Sequence, residues 1–138
     1  MQLVTVSRTI PADPETVRDL VTDLEPFMRA GGFSEVTVEN DEIYLRQNIG
    51  LGRIELDLRV VPDADVALAY QQVDGIFNQM RTEYDLESVP EGTRVTARTE
   101  FEIGGVFGSV LDATIVKRKR RSELNAQFDY LEDAVSSD

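Results

Sequence analysis

The sequence predicts an α+β fold: an antiparallel sheet of about seven strands covered by a long C-terminal helix, with two short helices after the first strand. Residues 106–135 contain no proline and a single glycine, Gly108, and read as one helix. Residues 33–103 break into short alternating stretches separated by turn signals, as antiparallel strands do. A helix gains most of its stability by packing an apolar face, and an antiparallel sheet has one apolar face to cover. Laying the helix across the sheet satisfies both.

Leu3 to Ile10 alternates and is rich in β-branched residues, which makes it the first strand. Val4, Val6 and Ile10 share a face, and Arg8 falls on it too. Asp13 is placed to cap a helix, with Pro14 at its first position and Glu15 in its first turn. Val17, Leu20, Val21 and Leu24 recur at helical spacing until Pro26 interrupts them. Phe27 and Met28 belong to a second short helix that Gly31-Gly32 ends.

The remaining strands are Phe33–Asn40, Glu42–Ile49, Arg53–Val61, Val66–Val73, Asn78–Val89 and Arg94–Ile103. Ile54, Leu56, Leu58 and Val60 alternate with charged residues. Met80, Thr82, Tyr84 and Leu86 share the inward face of one strand; Val95, Ala97, Thr99, Phe101 and Ile103 share that of the next. Pro90-Glu91-Gly92-Thr93 closes the hairpin between them. Consecutive strands with short turns imply a meander. In the final helix, Val110, Ala113, Thr114, Lys117, Arg121, Leu124, Phe128, Leu131 and Val135 form one broad face at about 100° per residue. Phe107, Leu111 and Ile115 lie beside its first half.

At 138 residues this is one domain, residues 1–138, large enough for a substantial core. Its net charge of −12 and its scarcity of lysine, Lys117 and Lys119 alone, suit a protein of a high-salt cytoplasm. A merely acidic protein of an ordinary cytoplasm would read the same way. Such a charge argues against nucleic acid or an anionic membrane as the main partner. The absence of cysteine and histidine removes thiol nucleophiles, thiolate metal sites and the commonest general base. No apolar run reaches the roughly 18 residues of a membrane span, and no signal-peptide pattern opens the chain. A cytoplasmic protein without cofactor, metal or stable membrane insertion is the expectation; the oligomeric state is open.

Three stretches together resemble the START-like, or SRPBCC, superfamily, which includes polyketide cyclase/dehydrase and coenzyme-Q-binding branches and the birch-pollen-allergen fold. They are Ile10-Pro11-Ala12-Asp13-Pro14-Glu15-Thr16-Val17 running on to Asp23; Tyr84 through the Gly92-Thr93-Arg94-Val95 hairpin; and Phe101-Glu102-Ile103-Gly104-Gly105 before the long helix. Tyr84 stands where that superfamily often has tryptophan. The resemblance covers essentially the whole chain. It implies a helix-grip fold, a curved antiparallel sheet of about seven strands wrapped on the long C-terminal helix, with a hydrophobic cavity between them that takes lipids, quinones, polyketides or other apolar molecules. It carries no universal catalytic motif, and fold alone does not decide function.

The candidate ligand-binding residues are Phe27, Leu56, Met80, Tyr84, Phe101, Phe107 and Leu111, which would equally make a filled core. The resemblance puts Phe27, Tyr84, Phe101 and Phe107 near the cavity or its mouth. Inward polar groups need partners, so Arg8, Thr82, Tyr84 and Thr99 stand out. Arg8 could grip a carboxylate or phenolate; a one-residue register slip or a pair with Glu100 or Glu102 would also account for it. Lys117 and Arg121 either snorkel to the rim or meet acids or an anionic ligand group. Arg118, Lys119 and Arg120 are expected on the other sides of the helix. Gly104-Gly105 and Gly108 lack the spacing and context of a phosphate loop. No carboxylate falls on the inward strand face, so no general base and no catalytic residue is assigned. Non-catalytic binding or transport of a hydrophobic small molecule is the leading reading. The alternatives are a cyclase or dehydratase acting on an aromatic or polyketide substrate, and a solid-core protein-interaction module.

Overall fold

The computed structural model describes residues 1–49, 52–104 and 112–136. Its elements are β1 (Gln2–Ile10), α1 (Pro14–Thr22), α2 (Leu24–Arg29), β2 (Glu35–Glu39), β3 (Glu42–Ile49), β4 (Gly52–Val60), β5 (Leu68–Asp74), β6 (Phe77–Val89), β7 (Gly92–Ile103) and α3 (Ala113–Ser136). The strands form one seven-stranded sheet in the order β1-β7-β6-β5-β4-β3-β2. Every neighbouring pair is antiparallel. The meander β2 to β7 thus ends beside β1, and α1 and α2 carry the chain between the two edges of the sheet.

Local chemistry fixes the connections. The Asp13 carboxylate accepts a hydrogen bond from the Thr16 amide at 2.9 Å, and Pro14 opens α1. Asn40, at φ 55°, makes the β2–β3 turn. Irregularities in register at Asp57/Leu58 and Phe77/Gln79 interrupt the ladder, as bulges that bend a sheet do. Charged pairs on the outer face, Arg46–Glu55 and Arg59–Glu42 among them, follow the cross-strand pairing.

The long helix differs from expectation at its start. The expected beginning at Val106 lies outside the described residues, but Asp112 is described and is not helical. Its carbonyl accepts from the Val116 amide at 3.1 Å and its carboxylate from the Thr114 amide at 2.7 Å. Asp112 therefore caps a helix that starts at Ala113.

The rotational setting of α3 also differs. Val116, Arg120, Glu123, Leu124, Gln127, Phe128 and Leu131 are buried against the sheet. Arg121 is exposed and Lys117 only half-buried, so the stripe through those two cations is not the packed one. The apolar residues Leu124, Phe128 and Leu131 fix the C-terminal half as expected. In the N-terminal half, Val116 and Arg120 face the sheet, because inward sheet hydroxyls supply Arg120 with partners.

Candidate functional site

β5, β6 and β7 place Tyr70, Thr82 and Thr99 directly opposite one another, since Tyr70 pairs with Thr82 and Thr82 with Thr99. All are buried, so the sheet presents a row of hydroxyls to the helix. Arg120 lies over this row. Its Nε donates to Thr99 Oγ1 at 3.0 Å; its Nη2 donates to the Tyr70 hydroxyl at 2.7 Å and to Thr82 Oγ1 at 3.1 Å. Thr82 and Thr99 also bond each other at 2.8 Å. The guanidinium Nη1 donates to Glu123 Oε1 at 3.2 Å.

Glu123 extends this cluster towards β3. Gln47 continues the inward line of Ile43 and Leu45, and its Nε2 donates to Glu123 Oε2 at 3.4 Å. On the other side, Tyr84 donates to Gln127 Oε1 at 2.6 Å, and Gln127 Nε2 donates to the Phe27 carbonyl at 3.3 Å. That carbonyl can only accept, which fixes the amide orientation. Tyr84 has then spent its proton, so in the 3.2 Å contact between the two tyrosine hydroxyls Tyr70 donates. Tyr70 is left as an acceptor for Arg120.

Burial shapes the titration of these groups. Removal from water pushes the Glu123 carboxyl above its ordinary pKa, against the pull of Arg120, Lys119 and Gln47. Burial and the neighbouring Tyr70 likewise keep the Tyr84 hydroxyl protonated. Burial alone would lower the pKa of Arg120; the oxygens of Tyr70, Tyr84 and Glu123 more than offset it, and the guanidinium stays charged.

This cluster forms one end of a cavity between α3 and β3–β6. The cavity is small, about 50 Å³, and is partly open to solvent. Its apolar walls are Leu45 from β3, Ile54 and Leu56 from β4, Phe77 and Met80 from β6, Val116 from α3, and Phe33 from the segment after α2. Its polar lining is Gln47, Tyr70, Lys119, Arg120 and Glu123. An apolar chamber with a few convergent polar groups is how small-molecule sites are usually built.

A family model described as "Polyketide cyclase / dehydrase and lipid transport" matches residues 1–135. The chain belongs to this family. The sequence matches none of the curated proteins. Among solved structures, a protein of Thermus thermophilus superposes with a TM-score of 0.75 at 20% identity, covering 96% of this chain and 99% of that one. A START superfamily protein from Mycobacterium smegmatis gives 0.72 at 16%, covering 98% and 97%. The Zhui aromatase/cyclase from a Streptomyces species gives 0.70 at 16%, covering 97% and 95%. The curved sheet gripping α3 is the helix-grip fold, shared with the START superfamily protein.

Within that family fold, the expected site residues separate into groups. Leu56 and Met80 line the cavity. Tyr84 and Thr99 lie behind it in the hydrogen-bond network, with Tyr84 also edge-on to Phe27 at 5.2 Å between ring centroids. Phe101 packs in the core against the cavity residue Phe77, ring centroids 5.4 Å apart. Phe107 and Leu111 lie outside the described residues. Arg8 is turned inward but sits beside α3: its Nη2 donates to Asn125 at 3.0 Å, its Nη1 bonds Asp129 and Glu132, and its guanidinium lies over Phe128. Its acids come from the helix, not from Glu100 or Glu102, because Arg8 lies on the sheet face that α3 covers. Arg8, Lys117 and Arg121 are not among the residues lining the cavity.

Tyr70, Gln47 and Glu123 do not stand out in the residue pattern, while Lys119 and Arg120, part of the basic run Lys117–Arg121, are expected on the other sides of the helix; the structure instead buries Arg120 against the sheet. The inward carboxylate missing from the strands is supplied by the helix, as Glu123. One usable signal was present: inward hydroxyls at Thr82 and Thr99 need hydrogen-bond partners, and an arginine on the covering helix can supply several donors in a fixed fork.

Proposed function

We propose that this domain binds a hydrophobic small molecule, without transforming it, in the cavity between β3–β6 and the first half of α3. The observation that carries this reading is an apolar chamber in which Gln47, Tyr70, Arg120 and Glu123 are already engaged in bonds to one another or to the sheet. Arg120 is held by Tyr70, Thr82, Thr99 and Glu123, and the Tyr70 proton is committed to Tyr84. Proton transfer to a substrate through Tyr70 would first require that chain to break. Membership of a family described by both cyclase/dehydrase activity and lipid transport is compatible with this reading. Among the described residues no helix is long and apolar enough to cross a membrane, which fits a carrier that meets its ligand in water.

The test is extraction of the purified protein with organic solvent, mass spectrometry of the extract, and thermal-shift titration with lipids, quinones and polycyclic aromatics. A stoichiometric apolar molecule, or a saturable rise in melting temperature, is the expected result. An empty extract with no shift across the series would overturn the proposal. Turnover of a bound compound would replace it with the cyclase or dehydratase reading.

A further inference from the structure

The cavity's polar end has a particular deficit. Glu123 is 7% exposed, yet among the described residues each carboxylate oxygen has one donor: Arg120 at 3.2 Å and Gln47 at a long 3.4 Å. An ionised carboxylate offers about four lone-pair sites. In a low-dielectric chamber, unused acceptor capacity on a charge is costly. Tyr70 cannot supply a hydrogen, because its proton goes to Tyr84. Arg120 directs most of its N–H groups at the row of sheet hydroxyls.

The lining carries Lys119, Arg120 and Glu123, and the placement of these charges rather than their sum disfavours an acid, because Arg120 is turned to the sheet hydroxyls and to Glu123. Arg120 is matched by Glu123 at one helical turn, so the deepest pair is neutral. A ligand carboxylate placed there would meet the Glu123 carboxylate in a medium that screens it poorly. It could be held only if Lys119, half-buried in the cavity wall, outweighed that repulsion.

We infer that the ligand is an uncharged apolar molecule bearing a hydroxyl, an alcohol or a phenol, whose O–H donates to Glu123 in the cavity. Its carbon frame lies against Leu56, Phe77 and Met80. This rests on the binding reading above and adds to it the chemistry of the headgroup. A hydroxyl suits the position better than a carbonyl, because the free capacity there is that of an acceptor.

Calorimetric titration of the intact protein at neutral pH with naphthalene, 2-naphthol, 2-methoxynaphthalene and 2-naphthoate tests it, alongside dodecane, 1-dodecanol and dodecanoate. Each hydroxyl compound is expected to bind at least about tenfold tighter than its hydrocarbon and its carboxylate, the worth of one charge-assisted hydrogen bond. The methyl ether, which accepts but cannot donate, is expected to fall back to the hydrocarbon. In Glu123→Gln the hydroxyl advantage should shrink and the carboxylate should gain. If that variant fails to fold, the wild-type ranking alone decides. Carboxylates binding as tightly as the hydroxyl compounds would overturn the headgroup assignment and leave the binding reading standing. The same holds if the methyl ether matches the naphthol. Binding of none of the compounds would overturn both.

Discussion

Arg120 and Glu123 lie one turn apart on α3 and form an ion pair at 3.2 Å with side chains only 7% and 9% exposed. The pair is stable because sheet oxygens complete the arginine's hydrogen bonding. Breaking it leaves a buried charge without a counter-charge, which typically costs about 3–5 kcal/mol. Arg120→Met is therefore expected to lose stability on that scale in urea unfolding. The double variant Arg120→Met/Glu123→Leu should recover much of the loss, because desolvation of both charges disappears with them. A double variant as unstable as the sum of its singles would refute this account of the pair.

Glu123 also gives stability a pH dependence of uncommon sign. Burial raises its pKa in the folded protein above the ordinary glutamate value. Between the unfolded and folded values, the folded state binds more protons than the unfolded one. Stability then falls as pH rises through that window, by at most about 1.4 kcal/mol per unit. Asp13 acts in the opposite sense: the Thr16 side-chain and backbone hydrogen bonds lower its pKa, so its stabilisation is lost as pH falls through the folded value. Urea midpoints of wild type and Glu123→Gln from pH 4 upward should diverge, with the wild type losing ground as pH rises. Parallel curves would show that Glu123 titrates normally.

The sheet was legible because burial imprints a period of two on each strand, as Ile54 and Leu58 or Val95, Ala97 and Thr99 show. The phase of α3 was not. Its buried face contains Arg120, Glu123 and Gln127, and a hydrophobic periodicity drawn through Leu124, Phe128 and Leu131 continues upstream just as well through Lys117 and Arg121. Only the three-dimensional row Tyr70–Thr82–Thr99 tells which cation is inside. Leu56 on β4 and Met80 on β6 were thus readable from alternation, while Phe77 lies before the expected strand and the polar lining depended on a register between sheet and helix that no local pattern carries.

Gly92 illustrates a position where the backbone leaves no room. It sits at φ +140° in the β6–β7 turn, and a Cβ there would lie 2.2 Å from the Ile10 carbonyl oxygen and 2.9 Å from the Ala12 nitrogen. Both obstacles are backbone, so they cannot swing aside. Gly92→Ala is expected to cost at least about 1–3 kcal/mol. The turn is at the opposite end of β6 from Phe77 and Met80, so ligand affinity should be retained in the folded fraction. A melting temperature equal to wild type would show that the turn relaxes freely.

Phe101 and Leu56 separate core from cavity wall. Phe101 is 1% exposed and packed on Phe77, so truncation to alanine should open a void that close-packed neighbours fill only in part. The expected loss for Phe101→Ala is about 3–5 kcal/mol. Leu56 is half-buried and already borders empty space, so it has fewer contacts to lose. Leu56→Ala is expected to destabilise by less than the usual 2–5 kcal/mol for a core leucine. Its main effect should be on ligand affinity, because it enlarges the chamber where the carbon frame is held. Phe101→Ala should change affinity only indirectly, through Phe77. Paired measurements of unfolding free energy and ligand dissociation constant on the two variants check this. A large stability loss at Leu56 with unchanged affinity would mean that the space beside it is core rather than binding cavity.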